Sequence, residues 1–295
     1  MIKNWIYTGD THGTIATISR VSNISRNMPE CIPTETGIII LGDAGLNFYL
    51  NKTDQKRKKM LNGMNYHIYC VRGNHEERPE NIETYHLVFD KEVNGEVWIE
   101  DKFPNLKFFK DGGTYTINGH SVLVIGGAYS VDKYWRLQRA GYSAKDADIA
   151  DPKKCGWFKD EQLTQDEMIE IYNLAHGKHY DFVLTHTCPL SWQPTDLFLG
   201  CIDQSTVDNT MEVWLDFLKD FIQFDIWLFG HYHADRIERP GVEQMYHDYE
   251  SLETIWNRWR GECTYHKEWW LPKSPHMELL ATCWDGKVKE NVNED

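Results

Sequence analysis

Close to its start the chain reads Ile2-Lys3-Asn4-Trp5-Ile6-Tyr7-Thr8-Gly9-Asp10-Thr11-His12-Gly13. An apolar run from Ile2 to Thr8 stops at a glycine, a polar cluster with Asp10 and His12 follows, and Thr14 to Asn27 then has helical character. A run this short, rich in Ile, Trp and Tyr, suits a strand buried on both faces. Strand, glycine-bounded turn and helix together make one unit of an α/β fold.

The same unit recurs outward along the chain. Gly37 to Leu41 leads into Gly42-Asp43, and His67 to Val71 into Arg72-Gly73-Asn74-His75-Glu76. Asp181 to Leu184 leads into Thr185-His186-Thr187, and Asp225 to Phe229 into Gly230-His231-Tyr232-His233. Helical stretches fit between them at Thr53 to Asn65, Thr164 to His176 and Thr206 to Phe221; Thr164 and Glu167 have capping-box spacing. Between Gly95 and Gly127 the pieces Val97-Trp98-Ile99, Lys107-Phe108-Phe109, Thr114 to Ile117 and Val122 to Ile125 alternate with Asn, Asp and Gly turns, which predicts antiparallel hairpins in a second sheet. Residues 129–163 are polar and lack a clear period, so they read as an inserted loop or cap. A helix is expected over Tyr249 to Arg260, a strand over Met277 to Trp284, and a solvated tail from Lys287. The expectation is one domain over residues 1–295, with a cap-like insertion at about 129–163 and an extension after about 240.

Composition bounds the function. The 295 residues carry a formal charge of −14, which argues against broad adhesion to nucleic acid or to anionic membrane. The one compact basic run, Lys56-Arg57-Lys58-Lys59, reads as a solvated helix face. A hydrophobic fraction of 41% with 12 tryptophans excludes a disordered chain, and no apolar run approaches the roughly 18 residues needed to span a bilayer. Seven cysteines, odd in number and in no C-x-x-C pair, follow no secretory signal; reduced thiols and a cytoplasmic location are expected.

Five polar clusters therefore sit at five predicted strand ends, where ligands gather in open α/β sheets. They supply Asp, Asn and His without a thiolate, a donor set suited to Mn, Fe, Zn or Mg. Asp10 with His12, and His231 with His233, are spaced i and i+2, so on extended backbone each pair would face one side.

With these residues in place, the sequence resembles the calcineurin-like metallophosphoesterase superfamily, bacterial and phage members included, whose pattern is GDxH, GD, GNH[DE], a lone His and GHxH. The resemblance covers Gly9 to His233 and implies an α/β sandwich of two mixed sheets flanked by helices, with a two-metal centre at the strand ends. Carried over by position, Asp10, His12 and His233 would hold one metal, Asn74, His186 and His231 the second, and Asp43 would bridge them. Two divalent cations, Mn favoured, against two aspartates would leave the centre near +2, attractive to a phosphate dianion inside an acidic protein. The pair would activate a hydroxide for in-line attack at phosphorus, and His75 would protonate the leaving oxygen.

Departures from the family pattern matter as well. The protein Ser/Thr phosphatases extend the second motif to GDxxDRG, with an aspartate that orients the catalytic His and an arginine that binds phosphate; this chain has Leu46 and Asn47 there. Glu76 or Glu77 is a candidate to orient His75. Arg136, in the segment Gly126 to Arg136 that is similar to one in some bacterial and phage relatives, is a candidate phosphate ligand, and Arg72 competes with it. The eight other histidines and Cys188 read as surface or core residues, and the C-terminal tryptophans as packing. The expected activity is a phosphomonoesterase on a phosphorylated small molecule or protein. The alternatives are a phosphodiesterase or nuclease, for which no basic track is visible, and a non-catalytic phosphate-binding module.

Overall fold

The structure, a computed structural model, describes residues 1–260. Thirteen strands are found there: β1 (Asn4–Thr8), β2 (Thr36–Ile40), β3 (His67–Cys70), β4 (Tyr85–Asp90), β5 (Gly95–Glu100), β6 (Leu106–Phe109), β7 (Gly113–Ile117), β8 (His120–Ile125), β9 (His179–Thr185), β10 (Gln223–Phe229), β11 (Arg236–Arg239), β12 (Val242–Gln244) and β13 (Tyr249–Ser251). The helices are α1 (Thr14–Asn27), α2 (Lys52–Asn62), α3 (Lys133–Arg139), α4 (Pro152–Cys155), α5 (Gln165–Ala175), α6 (Thr210–Leu218) and α7 (Leu252–Trp259).

The strands form two mixed sheets, one ordered β13-β1-β2-β3-β6-β5-β4 and the other β11-β12-β10-β9-β8-β7. The inner strands of each run parallel, and the edges are antiparallel. Between the sheets lies an apolar core in which Trp5, Tyr7, Ile39, Leu41 and Tyr69 from the first sheet meet Val122, Val124, Phe182, Leu184, Ile226 and Leu228 from the second. Leu252, Ile255 and Trp259 of α7 close its end. The alternate residues Ile6, Ile38, Ile40 and Ile68 point the other way, onto Val21 and Ile24 of α1 and Leu61 of α2. That double burial explains the continuous apolar runs, and each such side chain contributes about 1.5–3 kcal/mol.

Register positions the site. Thr8 pairs with Ile40 and Ile40 with Cys70, so three strands of the first sheet end level; Ile125 and Phe229 both pair with Thr185 in the second. The polar clusters that follow consequently meet at one end of the sandwich.

Several expectations are corrected. The 95–127 hairpins do not make one sheet: β5 and β6 join the first and β7 and β8 the second. Strand β4, with its mixed burial pattern, has no clean alternation to betray it. The expected helix from Thr206 is delayed to Thr210 by a 3-10 turn over Gln204–Thr206, where Asp203 accepts from Ser205 N and competes with helix formation. Tyr249 to Ser251 pairs with β1 before α7 begins, because Ser251 caps α7 through Thr254 N. Residues 129–163 contain α3 and α4, packed on a small core of Leu137, Cys155 and Trp157. Lys58 is not solvated: it is buried, and its ammonium donates to Asn47 Oδ1 at 2.6 Å and pairs with Glu100 at 2.5 Å. The strand expected over Met277 to Trp284 lies outside the described residues.

Candidate metal centre

Asp10 follows β1 and is fully buried. Both its carboxylate oxygens accept the amide proton of His231, at 2.8 and 3.0 Å. Asp43 follows β2, and its Oδ1 accepts from His75 N at 2.9 Å. These bonds tie loops from different strands, and across the two sheets, into one cluster. They also require glycine: a Cβ on Gly230 would lie 2.0 Å from Asp10 Oδ1, and one on Gly73 would lie 2.0 Å from Asp43 Oδ1.

The i, i+2 pairs converge by a different route from the extended backbone expected. His12, Asp43, His231 and His233 all have positive φ, between 48° and 70°. Left-handed turns, each costing on the order of 1 kcal/mol for a residue with a side chain, curl the ligand-type groups back over the strand ends.

His12 and His233 bring their Nε2 atoms together, at 3.6 and 3.7 Å from Asp10 Oδ2. Tyr246 stacks on His233 with ring centroids 4.8 Å apart. His186 is buried, donates from Nδ1 to the Leu41 carbonyl at 2.8 Å, and so presents Nε2 to Asn74 Oδ1 at 2.8 Å and to Asp43 Oδ2 at 3.7 Å. The Asn74 amide is turned that way because its Nδ2 donates to Ser130 Oγ at 2.9 Å; Ser130 in turn donates to the buried Glu161. The His231 ring stands 5.0 Å from that of His186, centre to centre. All seven sequence-derived ligand candidates and His75 are thus brought together.

The donor set fits divalent cations. Asp43 Oδ2 is buried and accepts no hydrogen bond among the described residues, yet imidazole nitrogens of His12, His75 and His186 ring it at 3.7 to 3.8 Å. The groupings Asp10–His12–His233, His12–Asp43–His75 and Asp10–Asp43–His186 each have ligand atoms close enough to share an ion. Burial, then the charge of Asp43, pushes Asp10 well above the usual carboxylate range. Burial acts on Asp43 in the same sense, but the imidazoles of His75, His186 and His12 outweigh it and hold Asp43 low. Burial also lowers His186, lowers His231 strongly, and takes His233 to about 4. Histidines kept neutral by burial are in the form that ligates a metal.

Outside this cluster a cleft of about 330 Å³ opens over His12, Asp43 and His75. Its walls include Ile15, Phe48, Tyr49, Arg57 and Arg136. Arg136 donates from Nε to Asp132 Oδ2 and from Nη1 to the Gly156 carbonyl, both at 2.7 Å. Arg72, its competitor, is buried and spent on Asp111, Glu161 O and Gly126 O, which makes it structural. Neither glutamate orients His75: Glu76 accepts from Gly73 N and Leu46 N, and Glu77 from Arg78 N and Asn81. Asn47, where the longer motif has arginine, is held by Lys58. Sequence reading missed Arg57, Tyr246, Ser130 and Glu161. The segment Gly126 to Arg136 gave a hint of Ser130, whereas the others join the site only through folding.

Residues 6–235 match the calcineurin-like phosphoesterases. The chain belongs to this family. As a calcineurin-like phosphoesterase it is a metal-dependent phosphoester hydrolase, with the two-sheet sandwich that its sequence implied. No curated protein matches the chain. Among solved structures it is similar to a phosphopantetheinyl hydrolase (PptH) from Mycobacterium tuberculosis, at 14% identity and a TM-score of 0.36, covering 82% of this chain and 88% of that one. No helix of this calcineurin-like phosphoesterase among the described residues is long and apolar enough to cross a membrane.

Proposed function

We propose that this phosphoesterase is a phosphomonoesterase in which Asp10, His12 and His233 hold one divalent ion, Asn74, His186 and His231 hold a second, and Asp43 bridges the two. The oxygen and nitrogen donors suit Mn, Fe, Zn or Mg, and Mn is the ion we favour. Ions bound there would supply a nucleophile and neutralise charge at phosphorus. The chain's own residues do the rest. Leu41 fixes the His186 tautomer through Nδ1, and Ser130 fixes the Asn74 amide. His75, on the cleft floor, gives a proton to the departing oxygen as the P–O bond breaks. Arg136 binds the phosphoryl oxygens from the wall, and Phe48, Tyr49 and Ile15 line the path of the leaving group.

The observation that carries the monoester reading is the pairing of Arg136 with His75 in one small cleft. A terminal phosphate dianion satisfies the guanidinium and leaves a single ester oxygen for His75. A phosphorylated small molecule or an exposed phosphorylated side chain is the expected substrate, acting in the cytoplasm. The five described cysteines are unpaired, as a reducing compartment favours. The test loads the protein with Mn, Fe, Zn or Mg and compares aryl phosphate monoesters with the matching diesters. Faster monoester turnover supports the proposal; faster diester turnover makes the chain a phosphodiesterase, and no turnover with any ion makes it a binding module.

A further inference from the structure

Asp132 occupies the N-cap position of α3, where an aspartate ordinarily spends its carboxylate on the first amides of the helix. Here it makes no such bond. Its Oδ2 accepts from Arg136 Nε at 2.7 Å, one turn along the same helix, while its Oδ1 is buried and without a partner among the described residues. A bare buried carboxylate oxygen is costly and calls for a donor.

A matching group lies on the segment that follows β3. His75 Nδ1 is likewise buried and unpartnered among the described residues, whereas its Nε2 faces the centre, 3.8 Å from Asp43 Oδ2. The two segments are bound to each other: Asn74 Nδ2, one residue before His75, donates to Ser130 Oγ, two residues before Asp132. His75 and Arg136, the partner of Asp132, line the same cleft. No direct bond joins Asp132 to His75; catalytic hydrogen bonds commonly tighten only when substrate arrives, or run through one water.

We propose that Asp132 is the positioning residue for His75: it takes the Nδ1 proton in a hydrogen bond, direct or through one water, so that Nε2 carries the proton given to the leaving oxygen. Transfer leaves His75 neutral, with its Nδ1–H still held by Asp132, and a proton from solvent restores the imidazolium. Helix α3 then supplies both groups that the second motif lacks, Asp132 to orient the acid and Arg136 to hold phosphate. The inference rests on the phosphatase reading for its kinetic consequence, though not for the pairing itself.

The test uses Asp132→Asn, which keeps an oxygen for Arg136, together with His75→Ala and the double variant. With the zinc-loaded protein, long-range proton–nitrogen NMR of His75 should show an Nδ1–H in the wild type and its loss or a clear shift in Asp132→Asn. With aryl phosphates of graded leaving ability, kcat of Asp132→Asn should fall about 10- to 100-fold for poor leaving groups and little for good ones. In the His75→Ala background the same change should add nothing. An unchanged His75 signature, or an additive loss equal for all leaving groups, overturns the proposal. Asp132→Ser gives the same readings should the asparagine variant not fold. A wild type that hydrolyses no phosphoester overturns the phosphatase reading alone, since the NMR arm still decides the pairing.

Discussion

Asp43 faces His75 with both carboxylate oxygens: Oδ1 accepts its backbone amide at 2.9 Å, while Oδ2 stands 3.8 Å from Nε2 of its ring. One carboxylate thus sets the backbone of the proposed acid and leaves its second oxygen facing the centre. Binding and chemistry are therefore coupled at Asp43. Asp43→Ala should remove metal from the site and lower kcat/KM by more than about 100-fold, beyond what loss of an outer hydrogen-bond partner costs. Elemental analysis of the purified variant checks this; two ions per chain retained would contradict the bridging role.

His75→Ala leaves every proposed ligand in place. Metal content should stay at the wild-type level while kcat falls about 10²- to 10⁴-fold on alkyl phosphates and far less on aryl phosphates with good leaving groups. A uniform loss across substrates would mean that His75 does not act as the acid.

Arg136 and Arg72 should separate cleanly. Arg136→Ala is expected to reduce kcat/KM about 10- to 100-fold through lost charge-assisted hydrogen bonds to phosphate, with Arg136→Lys a poor substitute for the guanidinium fork. Arg72→Ala removes the buried guanidinium that donates to Asp111 Oδ2 and to two carbonyls, leaving Asp111 only the Gly126 amide on its other oxygen, so it should cost about 3–5 kcal/mol of stability. Urea titrations beside steady-state kinetics distinguish the two: a kinetic defect without a matching stability loss belongs to Arg136 alone.

Glu212, which is not itself a proposed ligand, gives a separate pH signature. It is buried, accepts from Thr187 Oγ1 at 2.6 Å, and burial raises its carboxyl to about 7. Folded protein therefore holds this proton where the unfolded chain has released it. Its contribution is fully present below the ordinary carboxylate range and is lost as pH rises through about 7, by up to about 3 kcal/mol. Urea midpoints measured from about pH 4 to pH 8 should fall more steeply in the wild type than in Glu212→Gln; parallel profiles would refute the assignment.

How far the sequence could be read depended on the range of the interaction. Strands β1, β2, β3, β9 and β10 were legible because burial on both faces writes a continuous apolar run, and the proposed ligands were legible because they follow those runs directly, beside a glycine in every cluster but that of His186. Strand β4 and the assignment of hairpins to sheets were not, since pairing partners and mixed burial leave no local period. The left-handed turns at His12, His231 and His233 were likewise hidden: their backbone strain is repaid by contacts such as the bonds from His231 N to Asp10, 221 residues apart.

The sequence by itself determined the α/β class, the family and the chemistry of the donors, because residue type and short spacing suffice for each. Only the tertiary structure decided which charged groups serve the site. Lys58 and Arg57 are neighbours in one basic run, yet one is buried on Glu100 and the other lines the cleft. Arg72 sits beside the GNHE turn and is structural, while Arg136, sixty-four residues on, reaches the cleft through α3. Charge acts through space, and which side chains share that space is set by packing of distant segments rather than by their order in the chain.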